Sequence, residues 1–261
     1  MRVWRWLRIA ILLVALVVVA TGALLDRWIT ADWDRTLIVG VFPIPADDLP
    51  TTQNYVSGLT KAQFASIEQF FQREAKFFGL SHDRPIRIEL YPAQIEPPPA
   101  LPPRAGMVTT MWWSLRLRWY TWRAASGKAA QIRIFALFHD PVRTPSVPHS
   151  LGLQKGLIGV VYAFADPQMA GANNIVIAHE LMHTLGASDK YAPATNLPQF
   201  PGGYGDPEAQ PRYPQRDAEI MAGRRAISAT EAQMPPDLDA VVVGEQTARE
   251  IGWTQPSSNS Q

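Results

Sequence analysis

The chain has 261 residues, 47% hydrophobic and 18% charged, which is enough for a sizeable core and too apolar for disorder. Its 24 Lys and Arg against 23 Asp and Glu leave +1, a balance that gives no global reason to expect nucleic acid as a partner. Cysteine is absent, so a disulfide scaffold, a thiol nucleophile, a cysteine-ligated metal and an iron–sulfur cluster are excluded.

Arg2, Arg5 and Arg8 precede an uncharged run at 9–25. As a helix that run is roughly 25 Å long, just short of a bilayer's hydrocarbon core. Trp4 and Trp6 on one side, with Trp28 and Trp33 on the other, look like interfacial belts. The pattern predicts a cytoplasmic basic N-terminus (1–8), a transmembrane signal-anchor (9–25) and a linker (26–36). The chain would then be a single-pass protein of the inner membrane, with the 37–253 domain periplasmic or extracellular. A cleaved signal peptide is the competing expectation, with small residues at Val18-Val19-Ala20 and Thr21-Gly22-Ala23. The apolar run is longer than a typical signal core, which favours the anchor.

The 23 prolines partition the rest, because proline is excluded from helix interiors and central strands. Leu37 to Phe42 reads as a buried strand ended by Pro43 and Pro45. Thr60 can cap a helix carrying Phe64, Ile67, Phe71, Ala75 and Phe78, which Gly79 can close. Ile86, Ile88 and Leu90 alternate with polar residues as a strand, and a proline-rich loop follows. Met107 to Arg123 reads as a helix. Trp112, Leu115, Trp119 and Trp122 recur along it, interleaved with Arg116, Arg118 and Arg123. A core helix with snorkelling arginines is the favoured expectation there, and an interfacial helix on lipid headgroups is the alternative. Ile132 and Ile134 mark another strand, as does Leu157 to Phe164. Ala172 to Leu185 reads as a helix, Val241 to Trp253 as a last helix, and 254–261 as a frayed tail. The order predicts a mixed sheet with helices packed on it across 37–253.

The chemistry lies in residues 179–191. His179 and His183 are four apart, so on a helix both imidazoles share one face, one turn apart, and can bind one metal ion. Glu180 is offset by one position and can reach a metal-bound water. Gly186 permits a sharp turn after the helix. Asp189 can then swing back as third ligand, and an open fourth position would hold water. Asp189 could instead orient a histidine, with Glu208 or Glu219 as third ligand. His82, His139 and His149 read as surface or loop residues, although His149 precedes the strand expected to border the cleft.

His179, Glu180, His183 and Gly186 match H-E-x-x-H-x-x-G-x-x-H, and the sequence here resembles the metzincin zinc endopeptidases. It departs at the third ligand, where Asp189 replaces His, as in the snapalysin-like variant. The resemblance implies a zincin-like α/β (α+β) fold with an active-site helix, and a methionine turn at Glu219 to Gly223 with Met221 beneath the metal. It implies peptide-bond hydrolysis with Zn2+ held by His179, His183 and Asp189 and with Glu180 as general base. Tyr191 is a candidate oxyanion donor, with Tyr204 and Tyr213 as rivals. A carboxylate ligand should make the metal a weaker Lewis acid than three neutral histidines would. Peptide or protein is the expected substrate, the membrane an expected partner through the N-terminal helix. Two other readings stay open: a non-proteolytic zinc-binding module of envelope assembly or sensing, and a zinc hydrolase acting on a non-peptide amide.

Overall fold

The computed structural model describes Trp4, Trp6, residues 33–102 and residues 106–254. A five-stranded sheet forms the centre, in the order β2-β1-β3-β5-β4. Its strands are β1 (Leu37–Pro45), β2 (Ile86–Leu90), β3 (Ile132–His139), β4 (Leu151–Leu153) and β5 (Ile158–Phe164). β1, β2, β3 and β5 run parallel, and β4 lies antiparallel along the edge formed by β5.

Both faces of the sheet are covered, which explains why the parallel strands read as nearly continuous apolar runs. Alternation along β3 divides its side chains. Ile132, Ile134, Ala136 and Phe138 join one core, and Phe135 and Leu137 join the other. The larger core lies beneath helices α1 (Pro50–Ser57), α2 (Ala65–Phe77) and α4 (Ala170–Leu185). The smaller lies beneath α3 (Met107–Ala124), where Trp113, Leu117 and Tyr120 meet Phe42, Phe135 and Val160. A short helix, α5 (Glu245–Glu250), closes the described chain, and Trp253 packs edge-on against Trp33 with ring centroids 5.6 Å apart.

Several expectations hold in outline. α2 carries Ile67, Phe71 and Ala75 into the core, Phe64 is buried on the 3-10 turn Lys61–Phe64 that precedes it, and the Gln63 side chain accepts hydrogen bonds from the Thr60 backbone N–H and hydroxyl at the start of that turn. Gly79, with φ of 76°, ends it. Pro43 and Pro45, however, do not end β1. The β1–β2 ladder stops at Val41 and Leu90, and the two prolines lie on the stretch paired with β3 alone. A missing N–H is tolerated on the side where no neighbour asks for it. The helix expected over Val241 to Trp253 shrinks to Glu245–Glu250, because Val241 and Val242 pair in parallel with Ala218 and Glu219.

The expectation of a zincin-like domain preceded by a transmembrane helix is corrected to a mixed α/β domain built on a five-stranded sheet. Among the described residues no helix is long and apolar enough to cross a membrane. The single-pass inner-membrane location is not supported on that ground. The span read at 9–25 lies outside the described residues, as do 255–261 of the expected tail.

Candidate metal centre

α4 carries the H-E-x-x-H residues, and its local sequence explains where they sit. Ile175, Ile177, Ala178, Leu181, Met182 and Leu185 bury one broad face of the helix in the larger core. His179 and His183 lie beside that face and line the cleft, with side chains 12% and 19% exposed. The helix ends at Gly186, whose φ of 107° is open to glycine at little cost. A methyl there would also press on the Gln154 side chain. The turn carries the backbone round to Asp189.

Each imidazole is fixed through Nδ1. His179 Nδ1 lies 2.9 Å from the Ile220 carbonyl oxygen, and His183 Nδ1 lies 2.9 Å from that of Ala187. A carbonyl only accepts, so each Nδ1 carries a proton and each ring turns its Nε2 inward. Both Nε2 atoms converge on one oxygen: Asp189 Oδ1 is 3.2 Å from His179 and 3.1 Å from His183. Two imidazole nitrogens and a carboxylate oxygen meet stably only around protons or a metal cation. Ligand atoms about 2.0 Å from a tetrahedral zinc are about 3.3 Å apart, so the observed spacings fit that group. His179, Glu180 and His183 also bring donor atoms within 4.8 Å of one another. Asp189 is nearer to both rings than that bound, which makes it the better third donor and leaves Glu180 free.

The electrostatics follow from burial and pairing. For Asp189 burial opposes ionisation, but hydrogen bonds from His179 and His183 outweigh it and hold the carboxyl far below the usual range. For His179 burial again opposes charging, and the Asp189 hydrogen bond with the Glu180 charge outweighs it, raising the pKa. Glu180 differs. Burial raises its pKa, and its buried Oε2 has no hydrogen-bond partner within the protein. A buried carboxylate oxygen left without a partner calls for an explanation, commonly a water or an ion in the site.

The cleft around these groups has a volume of about 790 Å³. Its walls include the 147–152 segment on one side and Tyr191, Asn196 and the Ala222–Arg224 stretch on the other. Tyr191 lines it, with its ring centroid 6.4 Å from that of His179, and burial raises its pKa. His149, read as a loop residue, also lines it. The rival tyrosines do not, and their hydroxyls lie 2.7 Å apart, bonded to each other.

Glu219 is not free to be a ligand. One of its oxygens accepts from Met221 N and Ala222 N, and the other accepts from Gly244 N and the Thr247 hydroxyl. It is fully buried, and burial raises its pKa against these bonds. Glu208 is exposed and its side chain does not line the cleft. The tight turn at Glu219–Gly223 does form, with Gly223 at φ of 66° and Met221 fully buried. Ile220, inside that turn, supplies the carbonyl that orients His179.

Three contributors escaped sequence reasoning. Gly152, on edge strand β4, sits so close to α4 that a methyl would overlap the Glu180 carbonyl oxygen and His183 Cβ. The signal was an isolated glycine inside a short apolar run. Glu250 on α5 binds Lys190 Nζ at 2.7 Å and both Ser188 N and Oγ at 2.9 Å, clamping both neighbours of Asp189. Arg224 lines the cleft directly after the turn.

No protein-family model and no curated protein matches the chain. Among solved structures it is similar to wild-type OgpA from Akkermansia muciniphila in two crystal forms. The first has a TM-score of 0.39 and 14% identity over 85% of this chain and 63% of that one. The second has a TM-score of 0.37 and 13% identity over 83% of this chain and 60% of that one. The chain thus spans about three fifths of the length of these structures.

Proposed function

We propose that this chain is a zinc-dependent peptidase of the metzincin kind, cleaving peptide bonds within a peptide or protein. One observation carries the reading: two imidazole Nε2 atoms, both orphaned by their Nδ1 bonds, meet one Asp189 oxygen beside a buried Glu180 oxygen with no protein partner. His179, His183 and Asp189 would hold the metal. Zinc bound there would supply Lewis acidity, lowering the pKa of water and polarising a carbonyl.

The chain's own residues do the rest. The Ile220 and Ala187 carbonyls keep both rings in the metal-binding tautomer. Burial keeps Glu180 a stronger base than a solvated carboxylate, suited to take a proton from water and return it to the leaving amine. The 147–152 segment and Asn196 line the cleft that an extended peptide would occupy, and Tyr191, which lines it too, would be the donor to the developing oxyanion.

The test is hydrolysis of a mixed peptide library by the full chain, with zinc, with chelator, and as Glu180→Gln. Zinc-dependent cleavage lost in Glu180→Gln, with zinc still bound, is the expected result. Cleavage that survives in Glu180→Gln would overturn the mechanism. Zinc binding with no cleavage of any peptide would turn the reading to a non-proteolytic zinc module.

A further inference from the structure

α3 is apolar on two sides, and only one of them is used by the fold. Trp113, Leu117 and Tyr120 are buried against the sheet. On the outward side Val108 is 80% exposed, Met111 63%, Trp112 64%, Leu115 53%, Trp119 58% and Trp122 69%. At about 100° per residue these six span an arc of roughly 100°. They therefore form one continuous stripe along the full length of the helix. The core-helix expectation thus accounts for the inner face alone. An exposed stripe of this size is uncommon on a protein that meets only water.

The charges around the stripe select its occupant. On the same helical wheel Arg116 and Arg123 run along one border of the stripe and Arg118 along the other. Between 107 and 128 the chain has no Asp or Glu, and Lys128 adds a further cation. Arg123 pairs with Glu96, and Arg118 is held by the Lys155 carbonyl, so both heads are kept at the margins of the stripe. A second copy docked through the same stripe would bring like-charged borders together. A lipid surface instead offers phosphates to the arginines, an interfacial zone to the three indoles, and acyl chains to Val108, Met111 and Leu115.

We propose that the outer face of α3 is a docking surface for an anionic lipid bilayer, with the helix lying in the plane of the headgroups. This is contact from one side and needs no helix that crosses. Because α3 and α4 cover opposite faces of the sheet, a chain seated in this way keeps the metal cleft turned from the lipid. The inference does not rest on the peptidase reading.

The absence of cysteine allows a direct test on the full chain. A polarity-sensitive fluorophore is attached at Leu115→Cys on the stripe, and separately at Lys76→Cys on α2. Vesicles are 1:1 phosphatidylglycerol and phosphatidylcholine, or phosphatidylcholine alone. On anionic vesicles the probe at 115 is expected to shift to the blue and be quenched by lipid-borne spin labels, while the probe at 76 stays aqueous. Arg116→Glu should weaken the anionic-vesicle response at 115 by about fivefold or more. Replacing Trp112, Trp119 and Trp122 together by Ser should weaken it by more than about tenfold, with circular dichroism confirming the fold. A probe at 115 that stays aqueous, whether or not the chain binds vesicles, would overturn the proposal. So would an equal response to both vesicle types. A blue shift that grows with protein concentration in the absence of lipid would assign the stripe to a second copy.

Discussion

The Ile220 carbonyl oxygen lies 2.9 Å from His179 Nδ1, joining the helix that carries the histidines to a turn 41 residues further on. This bond and its counterpart from His183 to Ala187 occupy both Nδ1 atoms and leave the Nε2 atoms as the ones that would bind a metal in the proposed site. Removing a ligand should therefore be far more damaging than removing a neighbour. Asp189→Asn keeps the shape but loses the charge, and is expected to weaken zinc affinity by about 100-fold or more. His183→Ala should do at least as much. Competition with a chelating dye measures both. Retention of native affinity in Asp189→Asn would remove Asp189 from the ligand set.

Metal loading should also be visible as stability. The three donors are preorganised in the folded chain and dispersed in the unfolded one, so zinc held as proposed would bind the native state selectively. At a free zinc concentration of about 100 times Kd the stabilisation is about 2.7 kcal/mol. Thermal unfolding should move up with zinc and back down with chelator. In the His179→Ala and His183→Ala double variant zinc should have no effect.

Glu219 offers a sharper test of how the site is supported. Its carboxylate takes four hydrogen bonds in a fully buried place, two of them from Met221 and Ala222. Glu219→Ala would leave the Met221 and Gly244 N–H groups and the Thr247 hydroxyl without this partner, while Ala222 N keeps the Glu219 carbonyl. A loss of about 3 kcal/mol or more is expected in denaturant unfolding. Glu219→Gln, which keeps the size and one acceptor, should cost roughly half as much. Since the same turn presents Ile220 to His179, zinc affinity should fall by about 10-fold to 100-fold even in the folded fraction. Thr247→Val, which removes one donor, should leave affinity nearly unchanged.

How far the sequence could be read depended on the range of the interaction. The four parallel strands and α4 were legible because their apolar spacing is local, whereas the three-residue edge strand β4 and the helix α1 are too short or too polar to show it, and Gly186 was legible because glycine suits that turn. The same locality misled at Pro43, where tolerance depends on β2 ending at Leu90, and at Val241, where pairing with Ala218 replaces a helical turn. Asp189 follows His183 closely enough for its convergence to be anticipated. Glu219 did not reveal its role, because its partners Gly244 and Thr247 lie 25 and 28 residues away. Along α3, composition identified an unusual helix, but the division between a buried and an exposed face required the sheet to be in place.

Glu250 makes a last prediction in which pH sets the sign. Burial would raise its pKa, but hydrogen bonds from Lys190 and from Ser188 N and Oγ outweigh burial and lower it from the ordinary 4.5. A carboxylate depressed in the folded state releases its proton more readily there than in the unfolded chain. Its contribution to stability is thus complete above the unfolded value of 4.5 and is lost as pH falls through the lower folded value. The native chain should lose this contribution below about pH 4.5, and Glu250→Gln should lack it throughout. Unfolding curves of the two chains without zinc should therefore differ most at neutral pH and approach each other under acid. Because Ser188 and Lys190 flank Asp189, loosening them should also weaken zinc binding in Glu250→Gln at neutral pH. Equal zinc affinity in the two chains would confine Glu250 to a role in stability.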